Sequence, residues 1–487
     1  MSKLEHYATA PEDRISIPHK LAYGIGNLTN QLQAGALAAM VIILNLGLGM
    51  NPAWIGILGA VPRLVDAMTD PMMGYISDNT RSRFGRRRPY IFVGAIFAGL
   101  IFALMWQLYP GHSQIYYFWV FMTASIFFFI AYTTYAVPFI ALGYEMTPDY
   151  HERTRLQGFS NWIGQMAWLG IPWFYAIMYS KKLFDGPVEG ARTLAIGVGI
   201  FIALGGMVPA IFNRERVIAA PKDDTEKSGE RKGFGDNLKE FFKGVGITFK
   251  CKPFIKLCIA TFLVFNGFML ASAFTPYVMI FFLYGGNKEA AGSLMGWNGT
   301  VGSLCTFAVI PLVTWVSTKL GKKKTFLITI SISIVGQLLK IFCYNPEHPY
   351  MLLFTCPFIA FGIGSLFTLM GAMVADVCDY DELETGKRRE GMFGSIFWWM
   401  VKLGMTVSAL ITGFLLNATG FDVALEGEQA AKTLFLLRVF DISIVVVASI
   451  IAIFAVLTFK ITEEKAHQIR LELESRRGKL GVVEAGE

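Results

Sequence analysis

Long stretches without a charged residue constrain this chain more than any other feature of its sequence. Residues 21–62 and 89–144 contain no Asp, Glu, Lys or Arg. Because an α-helix of about 20 apolar residues crosses the hydrocarbon core of a bilayer, the first stretch holds one helix and the start of a second. The other stretch holds two helices, separated by the turn PGHSQ. Charged residues make up 16% of the chain, against about 25% in soluble domains, so the sequence predicts an all-α membrane protein.

Eight further segments have the length and apolar character of a membrane crossing. They are residues 156–180, 193–213, 257–287, 290–318, 325–344, 350–375, 391–416 and 433–459. The sequence therefore predicts twelve transmembrane helices.

The distribution of basic residues predicts the orientation, because Lys and Arg collect on the cytoplasmic side of membrane proteins. Of the 43 Lys and Arg residues, nine fall in predicted spans or outer loops when both termini face the cytoplasm. These nine are Arg63, Lys181, Lys182, Arg192, Lys288, Lys340, Lys402, Lys432 and Arg438. We therefore expect a multi-pass protein of the bacterial inner membrane, with both termini cytoplasmic and no cleaved signal peptide. Topology and contact with membrane lipids explain the net charge of +7, so no nucleic-acid partner is expected.

A hydrophilic stretch in the middle of the chain divides the predicted spans into six and six. The expected segments are a cytoplasmic N-terminal segment, a six-helix bundle, a linker with a short amphipathic helix, a second six-helix bundle and a cytoplasmic tail. Their ranges are 1–20, 21–213, 214–253, 254–460 and 461–487. We expect a functional monomer.

Two basic loops repeat at one spacing along the chain. RFGRRRP follows the second span and KLGKKKT follows the eighth, with Gly85 and Gly321 separated by 236 residues, and Arg153 and Arg389 show the same separation. Each loop alone satisfies the positive-inside rule, but the shared offset favours a duplicated unit. Parallel six-helix repeats with a substrate site between them are typical of the major facilitator fold.

Charged residues inside the second span are candidates for function, because a charge at bilayer depth costs several kcal/mol. Arg63, Asp66 and Asp70 lie at spacings that place them on one face of a helix. Arg63 neutralises one carboxylate, so the other favours a cation or a proton. The hydroxyls of Thr69 and Thr133 are candidate additional oxygen ligands for a cation such as Na⁺. The alternative is a static ion-pair network that involves Arg63 and Lys402.

Further polar residues in the spans have both a functional and a structural interpretation. Trp398 and Lys402 share a helix face and are candidates for a sugar-binding wall, although packing is the commoner role of such a Trp. Asn27 and Asn161 carry amides that bind hydroxyl groups or hold helices together. Lys340 lies near the end of its span, and we interpret it as a side chain that snorkels to the interface.

Metal and enzyme chemistry have little support in the sequence. The six cysteines include no CxxC pair, so reduced thiols and no metal cluster are expected. The six histidines lie in tails, loops or span ends, so proton coupling would use carboxylates. We find no nucleophile and base pair in the spans, and we predict no enzyme activity and no cofactor beyond a coupling ion, Na⁺ or H⁺.

Two segments resemble the signatures of the glycoside-pentoside-hexuronide:cation symporters, a family of the major facilitator superfamily. They are VPRLVDAMTDPMMGYISDNTRSRFGRRRPYI, in the second span, and ADVCDYDELETGKRREGMFGSIFWWMVKLG, from the tenth span into the eleventh. YGIGN in the first span agrees with this resemblance. GRRRP and TPDYHERTRLQG are also similar to proton-coupled sucrose carriers. The resemblance covers the twelve spans and implies cation-coupled symport of a sugar or glycoside by alternating access.

The resemblance to the melibiose-type branch implies a cation site at Asp66, Thr69, Asp70 and Thr133. Thr69 stands where that branch has an asparagine, which leaves Na⁺, Li⁺ and H⁺ open. The branch's arginine before the aspartates and its lysine of the eleventh span correspond to Arg63 and Lys402.

The sugar site departs from that branch. Its aspartates of the first and fourth spans fall at Gln31 and Ala136, and its arginine of the fifth span falls at Asn161. The cavity is therefore less negative, which disfavours a galactoside and leaves as candidates an acidic sugar such as a uronide and a neutral saccharide. The predicted substrate-binding residues are Asn27, Gln31, Arg63, Asn161, Trp398 and Lys402.

Other transport functions stay open on the sequence. A lysolipid symporter of the same fold and a sugar sensor that does not transport are the alternatives. Opposite charges at the cytoplasmic ends of the two halves also predict a gate that pairs when the inner side is closed. Its predicted residues are Asp78, Arg86, Arg87, Arg88, Glu382 and Glu390.

Overall fold

The computed structural model describes residues 11–80, 82–147, 150–213, 215, 250–386 and 390–477. The described part of the first half is helical over most of its length. Its helices are α1 (Ile17–Met40), α2 (Ile42–Leu46), α3 (Pro52–Asn79), α4 (Arg88–Met105), α5 (Gln114–Glu145), α6 (Tyr150–Gln165), α7 (Ala167–Gly170), α8 (Phe174–Met178) and α9 (Pro187–Phe212). Short 3₁₀ turns occupy Pro11–Asp13 and Ile171–Trp173.

The second half is built in the same way. Its helices are α10 (Lys252–Tyr277), α11 (Lys288–Leu320), α12 (Lys322–Cys343), α13 (Cys356–Thr385), α14 (Glu390–Ala418), α15 (Ala431–Leu457) and α16 (Glu463–Arg477). A π-helical turn, Val278–Leu283, follows α10, and 3₁₀ turns occupy Pro349–Thr355 and Val423–Leu425. Helix α16 lies in the predicted tail, whereas the predicted linker helix falls outside the described residues.

Ten helices within the described ranges are long and apolar enough to cross a membrane, where the sequence predicts twelve. The predicted second span is α3, a continuous 28-residue helix in which Arg63, Asp66 and Asp70 lower the hydropathy. The predicted fifth span is divided among three helices, with breaks at Met166 between α6 and α7 and at the 3₁₀ turn containing Pro172 between α7 and α8. Twelve crossings and cytoplasmic termini stay predictions.

The described chain forms two compact units. The first comprises the described residues of Met1–Phe234 together with Lys288–Thr300, and the second those of Gly235–Asn287 and Val301–Glu487. The division falls inside α11, because its first turns group with the first unit and the rest of the helix with the second. The predicted bundles 21–213 and 254–460 stay a prediction.

Helix pairing inside the two units follows one pattern. In the first unit α4 packs against α5 and α9, and α1 packs against α6 and α9. In the second unit α12 packs against α13 and α15, and α10 packs against α14 and α15. The repeated glycines also share a backbone conformation, with φ of 101° at Gly85 and 79° at Gly321, which favours glycine. The pairing is what a duplicated unit requires.

Aromatic packing fixes α5 in the first unit, and α5 carries Thr133. Phe139 stacks against Tyr23 of α1 with ring centroids 4.6 Å apart, and against Tyr135 at 5.5 Å. The Tyr135 hydroxyl donates a hydrogen bond of 2.7 Å to the carbonyl of Gly26. These contacts join α5 to α1 with little freedom in register.

Candidate functional site

The four residues predicted to form a cation site lie in contact with one another in the first unit. Thr133 Oγ1 on α5 lies 2.7 Å from Asp66 Oδ1 and 3.3 Å from Asp70 Oδ1, and its hydroxyl donates to these carboxylates. Thr69 Oγ1 lies 3.2 Å from Thr133 Oγ1 and 3.2 Å from the Asp66 carbonyl. We call this set the carboxylate cluster. It joins α3 to α5 and presents carboxylate, hydroxyl and carbonyl oxygens, the ligand types preferred by hard cations.

Helical geometry explains why residues so far apart in sequence meet here. Asp66, Thr69 and Asp70 follow one another at spacings of three and four, so they occupy one face of α3. The helices α3 and α5 pack directly together, and Thr133 faces α3 at that level. Thr133 is 1% exposed and Asp66 is 6% exposed, whereas Thr69 and Asp70 are half-buried, so the cluster is shielded on the side of Thr133 and Asp66 only.

Arg63, Asp66 and Asp70 place one positive and two negative charges at the carboxylate cluster. Arg63, one turn before Asp66, interacts electrostatically with that carboxylate. The neutral Tyr132 lies near Arg63, Asp66 and Asp70. One guanidinium faces two carboxylates, so this group of residues carries one net negative charge. The sequence reasoning missed Tyr132, and its position next to Thr133 was the available signal.

The predicted amide residues of the first unit contact each other. Asn27 Nδ2 donates to the Ser160 carbonyl at 3.1 Å and to Asn161 Oδ1 at 3.3 Å, which joins α1 to α6. This bridge is the structural role anticipated for the amides, and it uses donors of Asn27 and one acceptor of Asn161. Gln31 is half-buried on α1. Substrate binding by these side chains stays a prediction.

In the second unit Trp398 and Lys402 lie one turn apart on α14. Trp398 is 57% exposed, and its ring is nearly parallel to that of Phe367, with centroids 6.2 Å apart. Lys402 is half-buried, and its carbonyl accepts a hydrogen bond from Thr406 Oγ1. The exposed indole face is suited to stack on a sugar ring, and that role stays a prediction.

The interpretation of Lys340 as a snorkelling side chain is wrong. Lys340 is 5% exposed, and its ammonium lies 3.0 Å from Asp441 Oδ2, on α15. Tyr344 Oη donates to the same oxygen at 2.5 Å, and Thr275 Oγ1 donates to Asp441 Oδ1 at 2.6 Å. The four side chains form a second charged group, which we call the lysine–aspartate cluster. Two opposite charges within predicted spans were the signal that could have paired them.

The predicted gate has partners within the first unit. Arg86 and Arg87 form ion pairs with Glu145 at the end of α5, the second at 2.8 Å. The Glu215 carboxylate accepts hydrogen bonds from the backbone N–H groups of residues 86, 87 and 88, at 2.8–2.9 Å. The Arg88 guanidinium donates to the carbonyl of Ala210.

Of the three acidic residues of the predicted gate, the structure describes the side chain of one. Glu382 is half-buried on α13. The side chains of Asp78 and Glu390 fall outside the described part of the structure. Pairing of the basic loop with these three acids stays a prediction.

Comparison with known proteins identifies the family. The family described as MFS/sugar transport protein matches residues 22–463, which is most of the chain. The chain belongs to this family. It is thus a transporter of the glycoside-pentoside-hexuronide symporter group and a multi-pass protein of the bacterial inner membrane, and not an enzyme.

Relatives align over most of the chain. The uncharacterized symporter YnaJ of Bacillus subtilis is 27% identical over 95% of this chain and 96% of its own length. The glucuronide carrier protein homolog of Escherichia coli is 23% identical, over 94% and 95%. The isoprimeverose transporter of Lactiplantibacillus pentosus is 26% identical, over 78% and 76%.

Solved structures agree with the fold. A bacterial homolog of the human lysosomal transporter Spinster, inward-facing and unoccupied, matches with a TM-score of 0.65 at 16% identity, over 91% of this chain and 98% of that chain. A D-xylose-proton symporter matches with a TM-score of 0.58 at 14% identity, over 89% and 96%. At this identity the likeness concerns the fold alone.

Proposed function

We propose that this transporter couples the uptake of a sugar or glycoside to the entry of a cation, Na⁺ or H⁺, by alternating access. The observation that carries the proposal is the contact of Thr133 with both Asp66 and Asp70. Two carboxylates with one hydroxyl between them, and one guanidinium nearby, are one positive charge short of neutrality. A monovalent cation supplies that charge.

Either coupling ion fits the chemistry of the carboxylate cluster. For Na⁺, the carboxylates supply negative oxygens, and the hydroxyls of Thr69 and Thr133 supply neutral ones through their free lone pairs. For H⁺, one carboxylate takes the proton and the other accepts its hydrogen bond, as in other close carboxylate pairs. The two ions differ in their demand for the hydroxyls, because a proton needs no further oxygen ligand.

The substrate is proposed to be a sugar or glycoside, with an acidic one such as a uronide as the first candidate. Lys402 supplies a positive donor, and Trp398 supplies an exposed aromatic face one turn away. The glucuronide carrier homolog among the relatives supports an acidic sugar. The isoprimeverose transporter supports a neutral glycoside as the second candidate. These relatives do not favour the lysolipid alternative.

Reconstituted protein tests the proposal. In proteoliposomes with an inward Na⁺ or pH gradient, the wild-type protein should concentrate its substrate, and the Asp66→Asn and Asp70→Asn variants should lose this accumulation. Counterflow exchange without a gradient should survive, because the helices keep their packing. Asp185→Asn, a change at an exposed loop residue, is the matched control and should accumulate normally.

Two outcomes would overturn the assignment. If both variants still concentrate substrate against a gradient, the carboxylate cluster is not the coupling site. If the wild-type protein binds glycosides but shows no counterflow, it is a sensor and not a carrier.

A further inference from the structure

A row of buried polar side chains runs along one face of α12 in the second unit. The row consists of Thr329, Ser333, Gln337, Lys340 and Tyr344, each 5% exposed or less. Their spacings of three and four residues put them on a single helical stripe. The stripe is about 22 Å long at 1.5 Å per residue. Its neighbours α10, α13 and α15 contribute mostly apolar side chains to the core of the unit.

The end of this stripe nearest Tyr344 is well satisfied. Both oxygens of Asp441 accept hydrogen bonds, from Thr275, Tyr344 and Lys340. The Lys340 ammonium also approaches Thr275 Oγ1 at 3.5 Å. An ammonium group has three protons to donate, so these two contacts leave capacity for another acceptor.

The middle of the stripe differs, because its polar atoms lack protein partners. Within the described ranges, Ser333 Oγ and Gln337 Oε1 on α12 and Ser449 Oγ on α15 are buried without a hydrogen-bond partner. All three residues are 1% exposed. A buried hydroxyl or amide left unpaired destabilises the fold, so such atoms in folded proteins are normally satisfied by a protein group or by ordered water.

Two of the three atoms lie close to one depth of the unit. Helices α12 and α15 run antiparallel, since Lys340 contacts Asp441 while Lys323 contacts the carbonyl of Leu457. Each step back along α12 therefore matches one step forward along α15. Ser333, seven residues before Lys340, comes level with residue 448 and therefore lies at the depth of Ser449, with its Oγ near Gly362 of α13. Gln337 lies one turn further on, between this pair of serines and the lysine–aspartate cluster.

We propose that the second unit binds ordered water molecules along the polar face of α12, from the level of Ser333 and Ser449 to the ammonium group of Lys340. Water is the ligand that fits, because it both donates to Gln337 Oε1 and accepts from hydroxyl and ammonium groups. The site is separate from the carboxylate cluster and does not depend on the proposed function.

Radiolytic footprinting of the wild-type protein in H₂¹⁸O tests this proposal. A millisecond X-ray pulse produces hydroxyl radicals from bound water, and these label adjacent side chains before they diffuse. The probe is Phe268, 3% exposed: a methyl group added at Gly362 would meet both its Cε2 at 2.9 Å and Ser333 Oγ at 2.5 Å. The control is Phe139, a 1% exposed ring stacked between tyrosines in the first unit. We expect Phe268 to be labelled at least five times faster than Phe139, and equal slow labelling of both rings would overturn the proposal.

A variant locates the water. Ser333→Ala combined with Ser449→Ala removes two of the predicted water ligands, and it should reduce labelling of Phe268 at least threefold. The matched control is Ser365→Ala, at a buried serine whose hydroxyl already donates to the Gly362 carbonyl, and it should leave labelling unchanged. Unchanged labelling in the double variant would show that the label enters elsewhere and would also overturn the proposal. The wild-type comparison stands if the double variant fails to fold.

Discussion

In the first unit two carboxylates, Asp66 and Asp70, share the hydroxyl of Thr133, whereas in the second unit one carboxylate, Asp441, lies against the ammonium group of Lys340. Both groups join helices, and both contain a threonine hydroxyl that donates to a carboxylate. The difference lies in the source of positive charge. The lysine–aspartate cluster carries its own tethered cation and is neutral.

Asp66, Asp70 and Arg63 together carry one net negative charge. In the proposed function a mobile ion supplies the missing positive charge, and removal of that ion restores the repulsion between the carboxylates. The comparison thus separates a charge group suited to exchange an ion from one suited to hold helices together.

Removal of Asp441 should have the largest effect. Asp441→Asn leaves the Lys340 ammonium buried without its counter-charge, which costs about 3–5 kcal/mol. Replacement of both partners, Asp441→Leu with Lys340→Met, should recover most of that loss. Thermal unfolding in detergent, followed by intrinsic fluorescence, measures the difference. If the single and double variants are destabilised equally, Asp441 does not stabilise the fold by neutralising the charge of Lys340.

The loss of substrate affinity on replacing Lys402 should depend on the charge of the substrate. For a uronide, Lys402→Gln removes a charged hydrogen bond and should weaken binding by about 1.5–3 kcal/mol. For the neutral counterpart the loss should be about 0.5–1.5 kcal/mol. Calorimetric titration of both sugars decides. Equal losses would exclude the acidic substrate and leave the symporter proposal intact.

The hydroxyl shared by the carboxylates should tune affinity for the coupling ion. Thr133→Val should weaken Na⁺ binding about tenfold, or 1.4 kcal/mol, because one oxygen ligand is lost. Thr134→Val is the matched control, since the Thr134 hydroxyl donates to the Ile130 carbonyl on its own helix. Titration with Na⁺, followed by its effect on substrate binding, measures the change in Na⁺ affinity. A coupling proton should be much less sensitive to this change, which distinguishes the two ions.

The ion pair between Lys20 and Glu152 allows the contribution of a charge to fold stability to be measured outside the carboxylate cluster. Burial of the Glu152 carboxyl opposes its ionisation, but hydrogen bonds from Lys20, the Ile15 backbone and Arg155 outweigh burial and hold the pKa of Glu152 below its usual range. A lowered pKa means that the ionised group stabilises the fold at neutral pH, and that this contribution disappears as the pH falls through the folded-state pKa.

The expected effect of this pair is the smallest of the four. Glu152→Gln should cost about 1 kcal/mol at pH 7, because water reaches part of the Lys20 side chain. The difference in unfolding temperature between variant and wild type should shrink as the pH approaches 4. A constant difference across this range would mean that the Glu152 charge is not the source of stability.

The three predicted cation-site residues of α3 lie together because their spacing in the sequence places them on one face of the helix. Asp66, Thr69 and Asp70 share a face of any helix that contains them. Ligand chemistry made the hydroxyl of Thr133 a candidate on another helix, and family resemblance supported it. The same kind of reasoning went wrong at Lys340, because a long flexible side chain near a helix end reaches either the interface or an interior partner. Its partner Asp441 is 101 residues away, and helix packing decides that distance.

What the sequence determined by itself is the all-helical membrane character, the duplicated pattern of basic loops and the stripe of charges on α3. These follow from hydrophobicity, spacing and the 3.6-residue period, which act over a few turns of chain. The tertiary structure decided which buried charge meets which, whether Asn27 bridges to Asn161, and where α11 divides between the two units. Such outcomes depend on the register and rotation of packed helices, and these are set by side-chain packing between segments far apart in sequence.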